Sequence, residues 1–328
     1  MDIFDAIRAN LLSPAVLFFA LGLIAAITKS TLKFPEPLYV ALTIYLLVAI
    51  GFKGGVAISE AGLGKVWLPA LAAMALGAMI PLWSYPLLRF AGKFSAVDSA
   101  AIAAHYGSVS AVTFIAATNY LKAINQPYES YAIAFLAVME SPAILVGVVL
   151  GKFATNRKGA AEKTSLKTAM HEALFGWSIF LLVGSLVVGA LSGKAGMERV
   201  EAFFVTPFQG VLALFLLEMG MVAGRRLEDL KKAGLFLLAF GVVMPILHGC
   251  VGVAVGQWAG LQLGGAMLLG VLAASASYIA APAAIRMSLP DANPTFYLTA
   301  ALAITFPFNI ALGIPIYFEV ARWLYSTT

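Results

Sequence analysis

The sequence predicts an all-α polytopic membrane protein: ten transmembrane helices as a 5+5 inverted repeat, with helices four and nine broken. Three observations predict it. Of the 328 residues, 61% are hydrophobic and 11% charged, with a mean hydropathy of +0.93, a balance that no single water-soluble core could hide. Apolar runs long enough to cross a bilayer recur along the chain, five before and five after one polar, basic stretch. Finally, Gly107-Ser108-Val109-Ser110 inside the fourth run is answered by Ala274-Ser275-Ala276-Ser277 inside the ninth.

The first repeat, residues 1–151, carries runs at 11–28, 37–58, 66–90, 96–124 and 129–152. Met1 to Arg8 is an acidic, amphipathic run without the basic start of a cleaved signal peptide, so the first apolar run is expected to stay in the mature chain. Gly51 and Gly55 in the second run match Gly220 and Gly224 in the seventh, and are read as close helix packing. Lys53 between them is read as a snorkelling cation, and Glu218 as structural, with no charged partner at the matching position. Pro81 in the third run answers Pro245 in the eighth. In the fifth run Ser141-Pro142 matches Phe306-Pro307 of the tenth, which sets Glu140 opposite Thr305. Residues 152–172 form a linker, predicted to be cytoplasmic, and residues 173–328 form the second repeat, with runs at 173–193, 204–224, 234–260, 262–289 and 294–324.

Loop charges orient the chain. Lys29, Lys33, Arg89, Lys93, the basic cluster Lys152–Lys167, Arg225, Arg226, Lys231, Lys232 and Arg286 fall on one side; Arg8, Lys65, Lys122, Lys194, Arg199 and Arg322 fall on the other. The positive-inside rule then puts the linker in the cytoplasm and both termini outside; the membrane itself is expected to be a bacterial inner membrane. An odd number of helices per half turns the second repeat upside down. The same rule accounts for the net charge of +5, so no nucleic-acid partner is expected. The single Cys250 excludes an internal disulfide, and His105, His171 and His248 are not spaced as metal ligands.

The chemistry is expected at the two breaks. Hydrocarbon offers no partner to backbone N–H and C=O groups, so a Gly/Ser interruption survives at membrane depth only inside protein or beside a wet cavity. Sliding the fourth run forward by 167 positions lays Ser108 on Ser275, Ser110 on Ser277 and Thr113 on Ala280. Paired interruptions of this kind mark a secondary transporter's midplane site, where two helix starts present N–H groups and partial positive charge to one anion. The hydroxyls of Ser108, Ser110, Thr113, Ser275 and Ser277 add donors without a full charge; taken singly, each serine is read as bonding its own helix or a neighbouring one, and the paired set is read as the site. Glu140, an acid in an apolar run, is read either as the ligand of Na⁺ or a proton, with Ser141, Thr305, Ser108 and Ser275 as further oxygens, or as a hydrogen-bonded structural glutamate. His105 and His248 are read as hydrogen-bonded core histidines. No Gly-x-Ser-x-Gly, His-Glu-x-x-His or phosphate-binding loop occurs. The chain is not expected to be an enzyme, although an intramembrane protease built on Ser110 and a histidine, or a non-transporting scaffold, stays open as an alternative.

Gly107-Ser-Val-Ser-Ala-Val-Thr, Met139-Glu-Ser-Pro-Ala, Met219-Gly-Met, Pro245-Ile-Leu-His-Gly, Ala273-Ala-Ser-Ala-Ser-Tyr-Ile-Ala-Ala-Pro and Pro290-Asp-Ala-Asn-Pro, in this order, resemble the bacterial sodium-dependent bicarbonate transporters of the cyanobacterial permease type. The resemblance runs from the first helix to the last. It implies core and gate domains, Na⁺-coupled bicarbonate uptake, a homotrimer, a small PII-like cytosolic regulator, and no cofactor beyond Na⁺ as coupling ion. It assigns Ser108, Ser110, Thr113, Ser275, Ser277, Ala280 and Ala281 to the substrate turns and Glu140 to the acidic position before the proline, with Na⁺ at Glu140 and Thr305. Several positions depart from the family's pattern: Tyr278 stands where an Asp is common, Ala280-Ala281 where Ser-Gly precedes the proline, and Val112 where a Ser is usual. Each removes an oxygen ligand. A Na⁺- or H⁺-coupled carrier of another small organic anion is the alternative.

Overall fold

The computed structural model describes Arg8, residues 12–156, His171 and residues 175–327. Its regular structure is helical throughout. α1 (Pro14–Ile27) starts on Pro14 behind Ser13, whose hydroxyl accepts from the Val16 N–H. α2 (Glu36–Ala61) stops at Gly62, whose φ of 81° a side chain would resist. α3 (Leu63–Ala91) carries Pro69, Pro81 and Pro86 and ends in a wide π-turn. α4 (Ala96–Gly107) is capped by Ser95, and α5 (Ala111–Ala123) by Ser110. A short 3₁₀ turn, Ser130–Ala134, leads into α6 (Phe135–Asn156).

The second half repeats the order. α7 (Trp177–Phe204) turns at Gly193 and runs on past the predicted end at 193, because Phe203 and Phe204 pack against Tyr45 of α2, whose hydroxyl donates to the Phe203 carbonyl. α8 (Phe208–Arg226) and α9 (Leu230–Trp258) follow, then the short α10 (Leu263–Ala273) and α11 (Ala280–Ser288). α12 (Pro294–Ser326) widens to π-geometry over Thr299–Thr305 and Asn309–Gly313. Pro307 and Pro315 have no N–H for the carbonyls four residues back, which favours the wider turn.

Eight helical segments among the described residues are long and apolar enough to cross a membrane, so the chain is a multi-pass membrane protein. The sequence predicts ten. The two that fall short are α1, at 14 residues, and the ninth run, whose interruption removes 274–279 from the helix and leaves an α10 of 11 residues. Most of the predicted linker, residues 157–170 and 172, lies outside the described residues.

Packing divides the helices into two groups. α2 lies along α7 and α1 along α8; α3 and α4 pack on α6, and α9 on α10. Most residues of α4 and α5 are buried, whereas α7 leaves Phe180, Val187, Val188 and Leu191 exposed, as a face toward lipid requires.

The glycine contacts of the first group are reciprocal. A Cβ on Gly55 would lie 1.9 Å from the Leu186 carbonyl oxygen, and one on Gly220 2.0 Å from that of Phe19. Gly189 meets the Phe52 carbonyl in the same way, and Gly22 that of Leu217. These glycines are packing residues, as predicted, but their register differs. The contacts match Gly55 with Gly220, rather than Gly51 with Gly220 and Gly55 with Gly224. A four-residue shift keeps the same helix face, so sequence alone does not distinguish the two registers. The corrected register places Lys53 opposite Glu218, a charged counterpart where none was predicted.

Candidate functional site

The site forms because two interrupted helices cross. α4 ends at Gly107; Ser108 is extended (φ −81°, ψ 166°), and Ser110 (φ −110°, ψ 110°) starts α5 by accepting from the Thr113 N–H at 3.2 Å. The second interruption, 274–279, places Ser277 so that its hydroxyl accepts from the Ala281 N–H, 3.3 Å away, in the first turn of α11. Each break then fills the other's needs. The Ser110 N–H donates to Ser275 Oγ at 2.9 Å, and the Ser277 N–H donates to the His105 carbonyl at 2.8 Å. The Ser275 hydroxyl donates to the Leu272 carbonyl, and the Ala274 carbonyl accepts from Asn309 Nδ2. Buried main-chain groups are thus satisfied across the crossing, as a low-dielectric interior demands.

Ser108, Ser110, Thr113, Ser275, Ser277, Ala280 and Ala281 are all buried. Ser110 Oγ is a junction: it accepts from Thr113 Oγ1 at 2.9 Å and donates to the Tyr278 hydroxyl at 3.2 Å. Tyr278 keeps its own proton to offer, and its ring stands edge-on to Phe306, with centroids 5.4 Å apart.

Glu140 of α6 is buried, with Ser108 Oγ donating to it at 3.5 Å and the Ser277 hydroxyl also within hydrogen-bonding reach. One carboxylate therefore touches a serine from each break. Ser141, next along α6, is half-buried. Thr305, predicted to join Glu140, is engaged elsewhere: its hydroxyl donates to the Gly241 carbonyl at 2.8 Å and pairs with Tyr106 at 2.6 Å.

Both predicted core histidines are hydrogen-bonded. His105 Nδ1 lies 2.7 Å from the Ala101 carbonyl, with the ring stacked on Tyr297, and His248 Nε2 accepts from the Trp83 indole at 2.9 Å. Ser110 has the partners given above and no imidazole among them, so the protease reading gains no support. No group of three His, Cys, Asp or Glu that could hold a metal occurs among the described residues.

Sequence reasoning missed Asn309 and underrated Tyr278. Asn309 is buried, bonds the Ala274 carbonyl and accepts from the Tyr317 hydroxyl at 2.9 Å. A lone amide in an apolar run, just after Pro307, was the available signal.

No curated protein matches the chain. The sequence pattern of the Na⁺-dependent bicarbonate transporter superfamily matches residues 14–322, nearly the whole length, and the chain belongs to that family.

Proposed function

We propose that the protein is a secondary active transporter that couples inward Na⁺ movement to bicarbonate uptake, with the anion held where the two breaks cross. The observation that carries this reading is the reciprocal pair of bonds from Ser110 to Ser275 and from Ser277 to His105. It brings the starts of α5 and α11 to one buried place. By helix geometry the N–H groups of Ala111 and Val112 have no acceptor within α5, so they are free for an anion, and the partial positive charge of both helix starts favours one. Neutral hydroxyls suit a small oxyanion that must also leave.

Glu140 supplies the charge for the cation. A carboxylate flanked by the Ser108 and Ser277 hydroxyls is a hard-oxygen set suited to Na⁺, and it spans both breaks, so a cation there draws them together as the anion binds. With Thr305 bonded to Tyr106 and Gly241, the cation site is assigned to Glu140, Ser108 and Ser277.

The reciprocal contacts of α1 with α8 and α2 with α7 support a 5+5 inverted repeat in which these four helices form the gate and the others the core. Alternating access is then movement of the core, with its crossing, against the gate.

Uptake of labelled bicarbonate into proteoliposomes tests the reading. Accumulation is expected to follow a Na⁺ gradient and to ignore a proton gradient. Accumulation driven by protons alone, or of an organic anion in preference to bicarbonate, selects the second reading, which the phenol of Tyr278 in the site favours.

A further inference from the structure

A cavity of about 510 Å³ opens between α2, α5 and α8, lined by Lys53, Glu60, Phe114, Lys122, Tyr128 and Phe208 among others. Phe114 in the lining follows Thr113 directly, and Thr113 bonds Ser110 at the crossing. Gln209, which also lines the cavity, bonds Asn119 through their side-chain amides at 3.2 Å in both directions. Lys53 Nζ sits 3.9 Å from the centroid of the Phe208 ring. Neither Lys53 nor Lys122 has an ion-pair partner among the described residues. Tyr128, in the loop after α5, adds a neutral hydroxyl: burial raises its pKa above the ordinary value, against a smaller opposing effect of the Thr118 hydroxyl.

Glu60 is the one carboxylate among the described residues of the lining and is paired with neither lysine, so the two lysines leave the cavity with an excess of positive charge. An unpaired cation over an aromatic face in an open cavity attracts anions. Packing does not require it there. At the equivalent place on α8 stands Glu218, buried and of opposite charge, with Oε2 unpartnered. The fold therefore accepts either sign at this position, and the cation lies on the side that opens.

We propose that this vestibule is a binding site for a small oxyanion in its own right, in which the Lys53 ammonium holds the anion before it reaches the crossing. The ligand class rests on the transport reading; the site rests on the cavity and its unpaired cation.

Two measurements on the full chain separate the two. In the first, acylation of Lys53 by N-hydroxysuccinimidyl acetate is followed by peptide mass mapping in rising sodium bicarbonate, with sodium gluconate holding ionic strength constant. Bicarbonate is expected to slow acylation of Lys53 several-fold and to leave the exposed Lys65 unchanged. Equal effects on both lysines, or a Lys53 that does not react without bicarbonate, overturn the site. In the second, Lys53→Gln is expected to raise the KM for bicarbonate about five-fold from the face on which the cavity opens, the size of one screened charge. It should leave KM unchanged from the opposite face, and Lys53→Arg should restore it. A KM that is unchanged on both faces, or raised equally on both, counts against the vestibule. Protection of Lys53 without any uptake would keep the site and remove the transport reading.

Discussion

Glu140 presents its carboxylate to a serine from each break, and Glu140→Gln keeps its shape while deleting the charge. Loss of Na⁺-driven accumulation with near-normal thermal stability is expected, read in proteoliposomes with and without the gradient. A variant that concentrates bicarbonate with unaltered Na⁺ dependence makes the carboxylate structural. Ser110→Ala and Ser277→Ala each remove a hydroxyl from a desolvated site and should weaken apparent affinity by about 1–3 kcal/mol. Unchanged uptake in both would return these serines to packing. The residue types here were legible in the sequence because a costly acid and a repeated Gly/Ser interruption stand out in an apolar chain. Which atoms meet was not. Nothing in the spacing shows that Thr305 turns to Tyr106 and Gly241, or that the Tyr278 hydroxyl takes a bond from Ser110, since two of these contacts join the chain's two halves and the third joins separate helices 64 positions apart.

At the scale of elements, the glycine crossings fix how closely the gate helices approach. Gly189→Ala puts a Cβ 2.1 Å from the Phe52 carbonyl oxygen, so α2 and α7 must separate, at a cost of about 1–3 kcal/mol. Gly184→Ala, on the same helix but with nothing within 4 Å, should be neutral or slightly stabilising. Thermal unfolding of the two variants in detergent checks the contrast; equal midpoints would mean that the close approach contributes nothing. That these glycines pack was readable from their spacing. Their register was not, because a shift of one turn preserves the face, and only the carbonyls they touch decide it. Likewise, apolar length located the fourth and ninth runs but could not show that the second interruption takes six residues and the first only three.

For the whole molecule, the loop charges predict a cytoplasmic linker. A cysteine at Thr164, in the part of the linker outside the described residues, is expected to resist an impermeant maleimide applied to intact cells and to react once the membrane is opened. Ready labelling from outside would invert the orientation. The mutual bonding of the two breaks also bears on how the protein is made. When the first half has entered the bilayer, the Ser110 N–H and the His105 carbonyl have no partner, because Ser275 and Ser277 are still to be synthesised. In hydrocarbon each unmet group costs several kcal/mol. The nascent half is therefore an incomplete structure that must be sheltered until its counterpart arrives, and membrane quality control has a window in which to recognise it. Residues 1–156 expressed alone should be degraded quickly in a pulse-chase experiment, and co-expression of residues 157–328 should lengthen the lifetime of both pieces.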